Sequence, residues 1–323
     1  MRYELYLTEE TNAALISILD RITERFSEAV AERVRKELWN ACGAWASFRT
    51  SDKKVIKRFA KHGLQAEVHY ETYQGLNLRH IHSKPYDPAL PTLFFIHGAP
   101  GSSDNFDGYL TDSLLNQHAN LISLDRLGFG YSEFGVAYPE IEEQAESLLP
   151  VLQKYRNPSF PSLLVGWSYG GPIAAAMALK DPISCSGVVL LAPALDPEAE
   201  RYFKLGRLAE YRLTRWMVPQ TFIVAQKEKC SHVASLKEFE DLWNTIALPV
   251  LMLHGAQDKI VPFAPNAEFT TSHFPKALFQ LKTIPNAGHV FPIQQEQKVI
   301  SILLKELDRI ETKTSLEMES KGK

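Results

Sequence analysis

Gly166-Trp167-Ser168-Tyr169-Gly170-Gly171 lies between the apolar run Ser162-Leu163-Leu164-Val165 and an alanine-rich stretch from Gly171 to Leu179, and its reading decides the fold. The run fits G-x-S-x-G, a pattern that needs a strand before it and a helix after it. Ser162 to Val165 suits a buried parallel strand, and Pro172 is tolerated only in the first turn of a helix. A serine held at such a strand-to-helix turn has a strained backbone crowded by neighbouring chain, and Gly166 and Gly170 give the room. Ser168 is therefore the candidate nucleophile.

A serine hydroxyl needs a base, and the base needs a third group to fix its tautomer. Leu248 to Gly255 reads as a buried strand ending in a loop that carries Asp258, the candidate acid. A further strand-like run, Ala277 to Ile284, leads into Pro285-Asn286-Ala287-Gly288-His289-Val290, which offers His289 as the candidate base. Each of the three follows the C-terminal end of a predicted strand, where open α/β sheets place their sites. Asp125 and Asp196 are rival acids that also follow strand-like runs, but the order Ser168, Asp258, His289 favours Asp258.

Two more stretches extend the pattern. Thr92-Leu93-Phe94-Phe95-Ile96 runs into His97-Gly98-Ala99-Pro100-Gly101-Ser102, and Asp125-Arg126-Leu127-Gly128-Phe129-Gly130-Tyr131-Ser132 fits D-x-x-G-x-G-x-S. With these four motifs in order, roughly residues 65 to 310 resemble the α/β-hydrolase fold family, in its esterase- and lipase-like serine hydrolase branch. The resemblance implies an α/β fold with a mostly parallel, eight-stranded sheet, helices on both faces and a short helical lid inserted at about 195–247. It also implies an oxyanion hole from the main-chain N–H groups of Ala99 and Tyr169, with Asp125 as the structural head of its loop. His97, Gly98, Trp167, Trp216 and Phe222 are the expected substrate-binding residues, and His97 is expected to order the oxyanion loop.

The expected reaction is hydrolysis of a small carboxylic ester, such as a lipid monoester or aryl ester, through an acyl-enzyme on Ser168. The alternatives are a carbon–carbon bond hydrolase, whose loops resemble these nearly as well, and a non-catalytic ligand-binding member of the fold. Epoxide hydrolases and dehalogenases share the H-G-x-P loop but attack with aspartate, where this chain has Ser168. An aminopeptidase releasing N-terminal proline ordinarily has H-G-G-P-G, where this chain has Ala99.

The 323 residues are 45% hydrophobic, enough for one large core with insertions. A formal charge of −3 gives no general attraction to nucleic acid or anionic lipid, so the expected partner is a small ester-like molecule with an apolar group. Cys42, Cys185 and Cys230 are odd in number and far apart, which argues for a reducing compartment and, with no signal-peptide pattern or apolar span, for a cytoplasmic enzyme. There is no H-E-x-x-H, no Cys/His pair at ligand spacing and no dinucleotide turn, so no metal and no cofactor are expected. His62, His69, His80, His82, His118, His232 and His273 are read as surface or satisfied polar positions, and His254 as structural.

The ends fall outside the hydrolase pattern. Residues 1–60 form an expected N-terminal helical extension, since Leu15, Ile18, Leu19, Ile22, Phe26, Val30, Val34 and Leu38 recur at helical spacing. That face would pack on its own domain or on a second copy. Residues 61–310 make the expected hydrolase domain, closed by a helix packing through Val299, Ile300, Leu303, Leu304 and Leu307. The polar residues 311–323 are an expected disordered tail.

Overall fold

A computed structural model describes residues 48–201 and 218–321, with side chains to 312. Its centre is an eight-stranded sheet ordered β1-β2-β4-β3-β5-β6-β7-β8. The strands are β1 (Glu67–Tyr73), β2 (Leu76–His82), β3 (Thr92–Ile96), β4 (Asn120–Leu124), β5 (Ser162–Trp167), β6 (Gly187–Leu191), β7 (Val250–Gly255) and β8 (Phe279–Ile284). β1 and β2 form an antiparallel hairpin, β2 lies antiparallel to β4, and all later pairings are parallel. Every residue of β3, β4, β5, β6 and β7 is buried. A strand covered by helices on both faces has no solvent side, so it reads as continuous apolar sequence rather than alternation.

The helices divide between the faces. On one lie α1 (Asp52–Ala60) and the long C-terminal helix, joined by Phe106, Tyr109 and Leu110 from the turns after β3. On the other lie α2 (Ile141–Lys154), α3 (Gly170–Lys180) and α4 (Gln220–Phe239). After β7 comes α5 (Phe263–His273), and α6 (Glu296–Lys321) is that C-terminal helix. Residues 170–178 of α3 are all buried, as expected for a helix enclosed by the sheet on one side and by α2 and residues 240–245 on the other. No helix among the described residues is long and apolar enough to cross a membrane.

Two boundaries differ from the sequence reading. Residues 52–60 are not part of an extension: Val55 and Phe59 of α1 are fully buried with Ile81 and Phe106, and Arg58 pairs with Asp104 at 2.9 Å and Asp107 at 2.7 Å. Only two apolar side chains fix this short helix to the core, too few for a nine-residue stretch to stand out by periodicity. Nor does the chain lose its helix at 311, because α6 continues to Lys321 through Glu311, Lys313, Leu316, Glu317 and Met318, all good helix formers. Of the residues expected to pack, Val299, Ile300, Leu303 and Leu307 are buried and Leu304 is partly so, while Ile302 and Ile310 are buried beside them. The amphipathic segment 15–38 lies outside the described residues.

Candidate active site

β5 ends at Trp167 and α3 begins at Gly170, leaving Ser168 on the two-residue turn between them. Its φ of +56° lies in the left-handed region, a cost of about 1–3 kcal/mol for a residue with a Cβ. The turn is held by main-chain hydrogen bonds from Ser168 N–H to Leu191 O at 2.9 Å and from Gly171 N–H to Ser168 O at 3.0 Å. A Cβ on Gly166 would sit 2.3 Å from Gly170 O, and one on Gly170 would sit 2.2 Å from Ile96 O. Both glycines are thus steric requirements of the turn.

Three loops bring the candidate triad together. The His289 Nε2 accepts from Ser168 Oγ at 3.0 Å, and its Nδ1–H donates to Asp258 Oδ2 at 2.8 Å. The other Asp258 oxygen accepts from Ile260 N–H and Val261 N–H, each at 2.9 Å, which fixes the carboxylate plane. Burial alone would raise this carboxyl, but hydrogen bonds from His254 and His289 hold it well below the usual carboxylate range. His254, fully buried, places Nε2 3.2 Å from Asp258 Oδ2 and 3.0 Å from Val261 O, the structural part its sequence position suggests.

The rival acids have other partners. Asp125 accepts from Ser103 N–H at 2.7 Å and Tyr131 N–H at 2.9 Å and pairs with Arg79 at 3.1 Å. Asp196 caps the turn Pro197–Ala199 through Glu198 N–H at 2.9 Å.

The loop after β3 lies directly against Ser168, so close that a Cβ added to Gly98 would fall 3.0 Å from Ser168 Cβ. His97 is turned into the protein interior. It is fully buried, its Nε2 accepts from Arg126 N–H at 3.1 Å, and its Nδ1–H donates to Gly98 O at 2.7 Å. Burial and the neighbouring Arg126 push the imidazole well below its ordinary pKa, so it is neutral with the proton on Nδ1. Trp167 is also buried, and its indole N–H donates to His289 O at 3.3 Å, fixing the base's loop from beside the nucleophile. Phe222 is exposed and touches Phe48, with centroids 6.1 Å apart. Trp216 lies outside the described residues.

Sequence reasoning missed Arg126 and Glu228. The Arg126 guanidinium is fully buried and donates to His97 O at 2.9 Å, to Gly98 O at 3.0 Å and to both Glu228 oxygens at 2.6 and 3.2 Å. The Gly98–Ala99 peptide is trans, so the Ala99 N–H points away from the carbonyl that Arg126 and His97 hold. Arg126 thereby orients the amide expected to meet an oxyanion, and Glu228 ties that anchor to α4. Burial raises the Glu228 carboxyl, while Arg126 draws it back down. His232, one turn further along α4, stacks on Tyr169 with centroids 4.5 Å apart and hydrogen-bonds Glu200 at 2.6 Å.

Removing one partner of a buried bidentate pair leaves the other charge uncompensated. Glu228→Ala is therefore expected to lower unfolding free energy by about 3–5 kcal/mol in chemical denaturation, with Glu228→Gln losing less. A loss under about 1 kcal/mol in the alanine variant would show that the pair carries little.

Residues 91–217 match the family model of the alpha/beta hydrolase fold, and residues 162–308 match that of the prolyl oligopeptidase family. The chain is 24% identical over 242 residues to sn-1-specific diacylglycerol lipase ABHD11 of Mus musculus, covering 63% of this chain and 76% of that protein. It is 26% identical over 235 residues to pimeloyl-[acyl-carrier protein] methyl ester esterase of Nitrosomonas europaea, covering 62% and 88%. A solved N-acyl homoserine lactone degrading enzyme superposes with a TM-score of 0.59 at 18% identity, covering 73% of this chain and 99% of that one. The sheet order, the serine turn and these likenesses agree that the chain has the α/β-hydrolase fold.

Proposed function

We propose that this protein is a serine hydrolase that cleaves a small carboxylic ester through an acyl-enzyme on Ser168. The observation that carries the reading is the continuous relay from Ser168 Oγ through both ring nitrogens of His289 to Asp258. In the proposed reaction His289 takes the Ser168 proton as Oγ attacks the ester carbonyl, then returns it to the departing alcohol. Water, deprotonated by the same imidazole, releases the acid and restores Ser168. Asp258 keeps the Nδ1 proton in place and stabilises the imidazolium.

The amides of Ala99 and Tyr169 would receive the oxyanion, each worth about 3 kcal/mol in the transition state. Tyr169 is the residue that caps α3, where helix N–H groups have no intrahelical acceptor, and Arg126 sets the peptide plane of Ala99. The ester class rests on the diacylglycerol lipase and methyl ester esterase relatives, and the large apolar residues that the sequence carries in the expected lid, Trp216 and Phe222 among them, favour an apolar acyl or aryl group.

The test is hydrolysis of p-nitrophenyl esters from short to long acyl chains, beside labelling by a fluorophosphonate. Turnover with Ser168 as the labelled residue is expected, and the chain-length optimum would size the pocket. Labelling without ester turnover would move the substrate to another acyl or carbon–carbon bond. The absence of both would return the chain to a ligand-binding role.

A further inference from the structure

A cluster of imidazoles on the outer strands takes no part in the triad. The sequence reading puts His69, His80 and His82 at surface or satisfied positions, yet His80 and His82 are buried. β1 and β2 pair with Glu67 opposite His82 and His69 opposite His80. Alternate residues of a strand share a face, so Glu67, His69 and Glu71 of β1 lie beside His80 and His82 of β2. Ring centroids are 4.7 Å apart for His69 and His82, 4.9 Å for His80 and His82 and 5.3 Å for His69 and His80. Tyr155, just past α2, closes over His82 at 4.5 Å.

One carboxylate oxygen of Glu67 and one nitrogen each of His69 and His82 lie within 4.8 Å of one another. We propose that Glu67, His69 and His82 form a binding site for a divalent transition ion of the zinc type. A second observation points the same way. His82 is 1% exposed, and its Nδ1 has no hydrogen-bond partner among the described residues, a costly state for a buried polar atom.

The other nitrogen of His82 explains why Nδ1 is available. His82 Nε2 lies 3.0 Å from His80 Nδ1, and His80 Nε2 faces Glu71 Oε1 at 3.6 Å. With the protons on the two Nε2 atoms, His82 donates to His80, His80 points its N–H at the carboxylate, and the Nδ1 lone pair of His82 is left as a ligand. A ligating histidine backed through its second nitrogen in this way is the usual outer arrangement of metal sites. Lys154 does not oppose the ion as a bare charge, because it pairs with Glu71.

Two imidazoles and one carboxylate suit zinc, nickel or cobalt rather than calcium or magnesium, which prefer all-oxygen sites. Glu67 and His69 are half-buried, giving the ion an entrance and room for water at its remaining positions. In the sheet, β2 is three strands from β5. His82 pairs with Ile122, midway along β4, whereas Ser168 lies past the end of the parallel strands. The ion would therefore clamp the β1–β2 hairpin without touching the triad.

The experiment is calorimetric titration of the chelator-treated, full-length protein with zinc chloride, with melting temperature as a second readout. One site per chain is expected, with a zinc-dependent rise in melting temperature and no response to calcium. His69→Ala and Glu67→Gln are each expected to weaken zinc binding by at least about ten- to a hundredfold and to abolish most of the melting shift. Both side chains are half-buried, so the metal-free variants should fold, whereas His82→Ala alters a buried position and is not needed for the decision. No saturable zinc binding in the wild type, or equal affinity in wild type and both variants, would overturn the proposal.

Discussion

Ser168→Ala is expected to reduce ester turnover by about four to six powers of ten while leaving the melting temperature of the protein nearly unchanged. Oγ is the atom that would form the covalent bond and lies 3.0 Å from His289 Nε2, whereas the Tyr169 hydroxyl of the same turn donates to Pro139 O. In a triad acting as a unit, losing the nucleophile costs about as much as losing all members, around 10⁶-fold. His289→Ala added to Ser168→Ala should therefore lower the rate little further. Residual turnover would come from the oxyanion donors and from binding, which remain. The measurement is kcat on the best p-nitrophenyl ester, with circular dichroism to confirm folding. Retention of even a hundredth of wild-type activity in folded Ser168→Ala protein would remove the acyl-enzyme from the mechanism.

Asp258→Asn is expected to cost about 10⁴-fold in kcat, by a different route. Asp258 Oδ2 receives the Nδ1 proton of His289 at 2.8 Å, while Oδ1 is committed to the Ile260 and Val261 amides. An asparagine keeping those two main-chain bonds with its carbonyl must turn its amide group toward His289. That group donates, so His289 would accept at Nδ1 and carry its proton on Nε2, where it cannot take one from Ser168. Asp196→Asn is the matched control, since an asparagine oxygen can still accept from Glu198 N–H and cap its turn. Full activity in Asp258→Asn, or an equal loss in Asp196→Asn, would move the acid to another residue.

Much of the site is legible because each member announces itself locally. Ser168, Asp258 and His289 each follow a run of apolar residues that reads as a buried strand, and parallel strands deliver their C-terminal ends to one edge. The structure places all three there, within hydrogen-bond reach. His97 and Trp167 lie beside Ser168, and their side-chain partners are protein main chain. Both bond main chain, and burial is a property that a motif does not carry.

The segment between β6 and β7 is harder to read. Glu228 stands in a helix with Gln226, Lys227, Lys229 and Lys237 around it and reads as one more solvated charge. Its pairing with Arg126 joins residues 102 positions apart, which no periodicity encodes. The three histidines of the hairpin show the same limit. His80-Ile81-His82 signals only that two imidazoles share a face, and strand register is what sets His69 and Glu67 against them. The sheet, the serine turn and the order of the triad are written in the chain itself, because strand hydrophobicity and turn sterics act over a few neighbouring residues. Which charges are buried, which carbonyls Arg126 holds and which imidazoles meet emerge with the folded arrangement alone, because desolvation and pairing depend on what the distant chain brings alongside.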